Sequence, residues 1–287
     1  MLKGPSARAV NGLMSTKQHW SLQDIDFSKF DASKVDPETL QAVKAASLVE
    51  YNAADYVAYL SKVFGGDPAI MADIERWGSE EIQHGTALAA WAKCADPSFD
   101  FDAAFARFRA GYKLPLDVSA SVRGSRVGEM IARCVVESGT SSYYSAIRDA
   151  TDEPVLKDIA TRIAADEFRH YRLFYELSLK CAPLEQQRFW NRLKVALGRV
   201  QETEDDELAY AYYCANVAEG REPYDRARFS REYNRRVLRF YRPHHIHKAA
   251  SMVAKAVGLH PQGPTAKVAG NVLWWVMQAR GRMLQAA

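Results

Sequence analysis

Two glutamate-histidine pairs have the spacing that lets both side chains of a pair reach one metal ion. Glu81 precedes His84 by three residues, and Glu167 precedes His170 by three residues. On a helix, residues three apart lie on the same face, so the carboxylate and the imidazole project in the same direction. The spacing therefore predicts a metal-binding face on each of two helices.

A further glutamate lies upstream of each pair, and the whole pattern repeats. Glu50 precedes Glu137 by 87 residues, and Glu81 precedes Glu167 by 86 residues. Four carboxylates and two imidazoles are the ligands that two adjacent iron or manganese ions require. We therefore predict a site for two Fe2+ ions, with Mn2+ as the alternative metal, formed by Glu50, Glu81, His84, Glu137, Glu167 and His170.

The surroundings of these residues favour a metal site over a hydrogen-bonded core network. A single Glu-x-x-His sequence is usually a solvated pair on a helix surface. Here the ligands lie in apolar stripes, such as the one that Trp77, Leu88 and Trp91 form around His84. Buried carboxylates without a cation would cost roughly several kcal/mol each or hold protons.

The residue before each paired glutamate is also acidic. Asp166 precedes Glu167, and we predict that its carboxylate accepts a hydrogen bond from the ring N–H of a ligand histidine and so orients the ring. Glu80 is the equivalent residue of the first pair. It is predicted to be solvated.

Helix signals dominate the chain, and no hairpin turn is flanked by alternating apolar residues, so the predicted fold class is all-α. Asp-Pro and Glu-Pro steps start helices. They predict long helices at about 36–65, 67–96, 123–149 and 153–181, with a connection at 98–122 that contains the short amphipathic segment DFDAAFARFRAG. This pattern fits a four-helix bundle with one crossover connection.

The predicted domain organisation has three parts. Residues 1–36 form an N-terminal arm, residues 37–182 form the metal-binding bundle, and residues 183–287 form a basic extension of about four helices packed on the bundle. Four cysteines without a CxxC pair indicate reduced thiols, and no apolar run approaches roughly 20 residues, so neither a zinc ribbon nor a transmembrane segment is expected. The N-terminus lacks an apolar leader region, which favours a cytoplasmic location.

Charge is divided unevenly along the chain. Residues 221–287 hold 13 Lys+Arg against 3 Asp+Glu, whereas residues 1–220 hold 25 against 32. Eight arginines lie in the segment 221–242. This segment could dock an acidic partner or pair with the acidic body of the protein, and both interpretations stay open. Nucleic acid is not an expected partner, because the arginines lie in no known binding motif.

Two stretches carry a family resemblance. WGSEEIQHG at 77–85 and IAADEFRH at 163–170 resemble sequences of the soluble acyl-acyl carrier protein desaturases, within the ferritin-like diiron carboxylate superfamily. The resemblance covers roughly residues 18–180. It implies a ferritin-like four-helix bundle for this part of the chain, whereas the additional C-terminal helices beyond about residue 183 are predicted from the sequence alone. It also implies that Thr140 lies beside the O2 site and that Trp20, Asp166 and His84 form a hydrogen-bonded electron path.

The same resemblance implies an oxidoreductase that uses O2 to insert a double bond into a fatty acyl thioester. Its expected partners are an electron donor such as ferredoxin, acyl carrier protein docked on residues 221–242, and a second copy in a homodimer. Two alternatives keep the metal site but change the activity. One is a diiron oxygenase, either a hydroxylase or an N-oxygenase, acting on another small molecule, and the other is a non-enzymatic, ferritin-like iron-binding protein.

Two features of the C-terminal region have simpler interpretations. His244, His245 and His247 follow Pro243 and are typical of a polar helix start more than of a metal site. Trp274 and Trp275 lie on an apolar helix, and we expect them to be buried against the body or in a dimer in preference to contacting a membrane.

Overall fold

The computed structural model describes residues 20–114, 118, 120–185, 187–202 and 206–286, and all regular structure in these residues is helical. The predicted all-α class is thus confirmed for the described chain. Residues 1–19 of the predicted arm lie outside it. The α-helices are α1 Pro37–Tyr51, α2 Ala53–Phe64, α3 Pro68–Ala95, α4 Phe101–Gly111, α5 Arg126–Ala150, α6 Pro154–Glu185, α7 Phe189–Gln201, α8 Asp206–Asn216, α9 Arg226–Val237, α10 Pro243–Val257 and α11 Pro264–Ala286.

The predicted starts of α1 and α3 are correct because local side chains cap them, whereas α5 begins at Arg126, three residues later than predicted. Asp36 accepts a hydrogen bond from the backbone N–H of Thr39, and Asp67 accepts one from Ile70. A proline occupies the first position of both helices, where its missing N–H has no partner to lose. The short predicted segment in the connection is also helical and forms α4.

Two further predictions about the helices are wrong. The expected first helix is interrupted at the buried Asn52, whose backbone departs from helical geometry and separates α1 from α2. Pro183 does not end α6, because Glu185 accepts hydrogen bonds from the backbone N–H groups of Arg126 and Val127, which hold the last turn. The predicted division at 182/183 therefore falls inside α6. Five α-helices follow it in the described chain, one more than expected.

Pairs of contacts along the helices show that α1 and α2 run antiparallel to α3. Lys44, in the middle of α1, pairs with Asp96, which directly follows α3. Tyr51 then packs against Gly85, and Val57 of α2 packs against Gly78. Later residues of α1 and α2 thus contact earlier residues of α3.

Helices α5 and α6 form a second antiparallel pair. Thr140 of α5 contacts Glu167 of α6, and the later residue Ser141 contacts the earlier residue Ala164. The two pairs also meet in antiparallel fashion, since Trp77 packs on Phe174 while His84 contacts Asp166. Helices α3 and α5 consequently point the same way, so the chain between them crosses the length of the structure, as the sequence predicts.

The C-terminal helices pack on this four-helix arrangement and share its core. Tyr212 of α8 and Phe229 of α9 belong to an apolar cluster with Trp91 and Tyr144. Met252 of α10 belongs to a second cluster that lines the other end of the four helices. All four cysteines are free, as expected. None of the described helices combines the length and the apolar character needed to cross a bilayer.

Gly85 permits the close approach of α3 to α1 beside Glu50. A Cβ at this position would lie 2.6 Å from the backbone nitrogen of Tyr51 and 2.8 Å from its Cα. We expect Gly85→Ala to lower the free energy of unfolding by ~1–3 kcal/mol, because backbone atoms must shift to admit the methyl group. Gly139→Ala is the matched control, since nothing lies within 4 Å of its Cβ, and it should raise stability by up to ~1 kcal/mol. Equal urea midpoints for the two variants would contradict this packing.

Candidate metal centre

Four helices each contribute candidate ligands to one buried cluster of glutamates and histidines. Glu50 comes from α1, Glu81 and His84 from α3, Glu137 from α5, and Glu167 and His170 from α6. His84 is fully buried, and the side chain of Glu50, the most accessible of the six, is 9% exposed. The structure therefore brings together all six ligands predicted from the sequence.

The ligand atoms form two overlapping groups, each compact enough to hold one ion. One group consists of Glu50, Glu81, His84 and Glu167, and the other of Glu81, Glu137, Glu167 and His170. Within each group the atoms lie within 4.8 Å of one another. Glu81 and Glu167 belong to both groups, which is the arrangement expected of carboxylates that bridge two ions.

Two carboxylates outside the cluster orient the histidines. The Nε2 atom of His84 lies 3.0 Å from Oδ2 of Asp166, and the Nε2 atom of His170 lies 2.8 Å from Oε2 of Glu80. A carboxylate only accepts, so each Nε2 carries a proton, and each Nδ1 is the ring atom that faces the cluster and could bind an ion. The Nδ1 of His84 accordingly lies 3.2 Å from Oε1 of Glu167.

The prediction that Glu80 is solvated is wrong. Its side chain is 12% exposed and contacts His170, a residue of another helix. Glu80 precedes Asp166 by the 86 residues of the internal repeat, so the repeat itself was the signal that could have identified it. The two histidine-carboxylate contacts are equivalent under that repeat.

Several buried polar atoms in the cluster have no hydrogen-bond partner among the described residues. They are Oε1 of Glu137, Oε1 of Glu167 and Nδ1 of His170. The last atom lies 3.0 Å from Oε1 of Glu81, yet without hydrogen-bond geometry. Buried acceptors directed at one space are costly unless a cation accepts their lone pairs. Two divalent cations would also balance the charge of four carboxylates, so the donor set fits a dinuclear centre.

The carboxylates and histidines perturb one another strongly. Burial, followed by the charge of Glu81, raises the pKa of Glu50. Burial and the charge of Glu167 likewise raise the pKa of Glu137. Burial opposes ionisation of Glu81 too, but His170 outweighs it and lowers the pKa of Glu81. Protons are therefore shared unequally among the ligands when no cation neutralises them.

Metal binding is expected to release protons and to weaken as the pH falls. Glu50 and Glu137 have raised pKa values, so they retain protons at higher pH than an ordinary glutamate, and an ion must displace them. Calorimetric titration with Mn2+ in two buffers of different ionisation enthalpy measures the number of protons released. Glu50→Gln should release fewer protons than the unmodified protein. Affinity that is the same at pH 5.5 and 7.5, without proton release, would contradict the assignment.

Trp20 connects the edge of the protein to the ligand His84. Its Nε1–H donates to Oδ2 of Asp166 over 2.8 Å, and the same oxygen contacts Nε2 of His84. The indole is half-buried and stacks on the His84 ring, with 6.0 Å between the centroids and 7° between the planes. Gln83 donates to the carbonyl of Trp20 and fixes this segment. The three residues predicted to form a hydrogen-bonded path are thus in contact.

Two hydroxyl groups contact the ligands. Thr140, predicted to lie at the site, donates to Oε2 of Glu167 over 2.6 Å. Tyr144 donates to Oε1 of Glu50 over 2.5 Å and is buried, and sequence reasoning missed it. A tyrosine in an apolar stripe is normally interpreted as a core residue. No local sequence pattern indicates that its hydroxyl contacts Glu50 of α1.

The histidines at the start of α10 form a polar helix end, as predicted. The backbone N–H of Arg242 donates to Nδ1 of His245, so the proton of this ring lies on Nε2, which contacts Asp149. His244 contacts the same carboxylate. An ion bound at Nε2 of His245 would require a proton on Nδ1, where the backbone donor already lies. The geometry therefore disfavours a metal site here.

The arginine-rich segment 221–242 pairs in part with the body of the protein. Arg235 and Arg239 contact Glu38 at the start of α1, and Arg239 also contacts Asp36. Arg228 pairs with acids of its own segment. At least these three arginines therefore have an internal role, in agreement with the interpretation that the segment pairs with acidic residues.

No protein-family model and no curated protein matches this chain. The candidate centre is thus defined by its side chains and their geometry.

Proposed function

We propose that the protein is an O2-dependent diiron oxidoreductase similar to the soluble acyl-acyl carrier protein desaturases, and that α1, α3, α5 and α6 form a ferritin-like bundle. The observation that carries this proposal is that the two Glu-x-x-His pairs lie together, so that their glutamates, Glu81 and Glu167, belong to both ligand groups. The contact of Trp20 with His84 through Asp166 supports it, because this contact is a feature the resemblance implies. Fe2+ is the proposed metal, with Mn2+ as the alternative.

The proposed reaction removes two hydrogen atoms from adjacent carbons of a fatty acyl thioester and leaves a double bond. O2 accepts these hydrogens together with two electrons and two protons, and two water molecules form. The electrons come from a reduced donor such as a ferredoxin. When bound, the two irons supply the activation of O2 that such a C–H bond requires.

The chain's own residues hold and shield the reacting centre. Glu81 and Glu167 belong to both ligand groups and would hold both ions, while Glu80 and Asp166 would keep the histidine rings in the tautomer that binds. None of the six ligand side chains is more than 9% exposed, so the cluster is shielded from bulk water. Thr140 holds one oxygen of Glu167 by a hydrogen bond.

Electron delivery through Trp20 gives a specific prediction. Trp20→Phe keeps a ring beside His84 but removes the N–H that donates to Asp166. We expect at least about tenfold slower reduction of the diferric protein by reduced ferredoxin, with iron content unchanged. Stopped-flow absorbance measures this rate. Trp190→Phe is the control, because Trp190 is 72% exposed on α7. Equal rates for both variants would exclude the path.

Mass spectrometry of the products tests the proposed activity. Iron-loaded protein is supplied with acyl-acyl carrier protein, O2, ferredoxin, ferredoxin reductase and NADPH, and Glu167→Ala serves as the metal-site control. A product lighter by two hydrogens supports desaturation. A product heavier by one oxygen would replace the proposal with a hydroxylase. Oxidation of iron without any acyl product, with other small-molecule substrates also unchanged, would favour the iron-binding alternative.

A further inference from the structure

Helix α11 exposes a continuous apolar face. Val268, Val272 and Trp275 are 60%, 54% and 70% exposed. Their spacing places them on one side of the helix together with Val276 and Met283, which are 47% and 66% exposed. We call these five residues the α11 stripe. The sequence predicts that the tryptophan pair is buried against the body or in a dimer. The first of these is wrong for Trp275, which faces outward, whereas Trp274 is half-buried.

The opposite side of α11 attaches the helix to the protein. Ala266 and Gly270 are buried, and Gly270 lies directly against His247 of α10. Because α11 packs against α10 through this side, the α11 stripe faces away from the rest of the protein. An apolar face of this kind marks a surface for a partner or a membrane.

Basic residues border the α11 stripe, and the sequence of α11 contains no acidic residue. Lys267 and Arg282 are exposed next to it. After Glu232 the sequence contains no aspartate or glutamate. The helix thus combines protruding apolar side chains with positive charge, which is the composition of helices that lie in the interface of an anionic bilayer.

A second copy of the chain fits this surface poorly. Twofold pairing would place the α11 stripe of each copy against that of the other, and Lys267 and Arg282 of both copies would border the same interface. Neither copy could supply an acid from this region to neutralise them. Anionic phospholipid offers phosphate groups for the basic residues and acyl chains for the apolar ones.

We propose that the α11 stripe docks the protein on a membrane surface that contains anionic phospholipid. The 23-residue helix lies parallel to the bilayer, and its apolar side chains enter the boundary between headgroups and acyl chains. Trp275 lies at the headgroup level, where tryptophan is enriched. Lys267 and Arg282 contact lipid phosphates. This inference does not depend on the metal centre or on the proposed reaction.

Vesicle flotation tests this surface. The full-length protein is mixed with vesicles of phosphatidylcholine containing about 30 mol% phosphatidylglycerol, or of phosphatidylcholine alone. We expect at least about fivefold more protein on the anionic vesicles at low salt, and a loss of this preference at 0.5 M NaCl. Val272→Ser with Trp275→Ser should abolish flotation, and Lys267→Glu with Arg282→Glu should abolish the lipid preference. Trp190→Ser, on α7, should leave both unchanged.

Two further measurements separate the alternatives. Lipids with brominated chains should quench the fluorescence of the unmodified protein, and Trp275→Phe should remove most of that quenching. Circular dichroism verifies that each variant is folded. Absence of flotation on anionic vesicles by the folded, unmodified protein would overturn the proposal. So would a homodimer in sedimentation that the serine variant dissociates, because the α11 stripe would then be an interface between copies.

Discussion

Glu167→Ala is expected to leave the protein unable to hold either ion, whereas Glu137→Ala is expected to retain one ion per chain. Glu167 belongs to both ligand groups, and Glu137 belongs only to the group that includes His170. Removing the shared carboxylate also removes half of the bridging charge that lets two cations lie side by side. The same loss is expected for Glu81→Ala.

Metal analysis after anaerobic loading measures this difference. The unmodified protein should contain about two ions per chain, Glu137→Ala about one, and Glu167→Ala fewer than about 0.2. Glu176→Ala, on the same helix but half-buried at the surface and paired with Arg172, is the matched control and should retain both ions. Two ions bound to Glu167→Ala would show that this residue is not a shared ligand.

Metal loading is expected to raise the thermal midpoint of unfolding by about 10 °C. Ions that bind only the folded chain stabilise it by ~2.7 kcal/mol each when the free ion exceeds its Kd a hundredfold. Two sites then contribute about 5 kcal/mol, and each kcal/mol corresponds to roughly 2 °C in a chain of this size. The effect is large because cations remove the repulsion among buried carboxylates, which burial otherwise forces to hold protons.

Calorimetry with and without Mn2+ measures this shift, and Glu167→Ala should show none. Its midpoint in the absence of metal should be lower than that of the unmodified protein, because burial and the charge of Glu81 are outweighed by His170 and His84, which lower the pKa of Glu167, so the folded chain stabilises this carboxylate. A metal-dependent shift of equal size in both proteins would place the stabilising ions elsewhere.

Helix starts could be predicted from the sequence because the signals that set them are local. The carboxylate of Asp36 caps a backbone N–H only three residues away. The interruption at Asn52 is different, because no proline, glycine or capping pattern in the sequence marks the end of α1 there. The prediction that Pro183 ends α6 is wrong for a related reason. The residue that holds the last turn of α6, Glu185, bonds to the distant start of α5.

The six ligands could be predicted because the internal repeat presents them twice. Residues that support them were harder to identify, because their partners lie on other helices. Glu80 contacts a histidine 90 residues away, and Tyr144 contacts a glutamate 94 residues away. Asp166 was identified because its spacing suggested an acceptor for a ligand histidine. That histidine proved to be His84 of α3, in agreement with the resemblance.

Anomalous diffraction from crystals of the iron-loaded protein, collected on both sides of the iron absorption edge, tests the dinuclear centre most directly. We expect two separate peaks between Glu81 and Glu167, one beside Nδ1 of His84 and the other beside Nδ1 of His170. A single peak there, or peaks only at other positions such as Asp149 and His244, would contradict it.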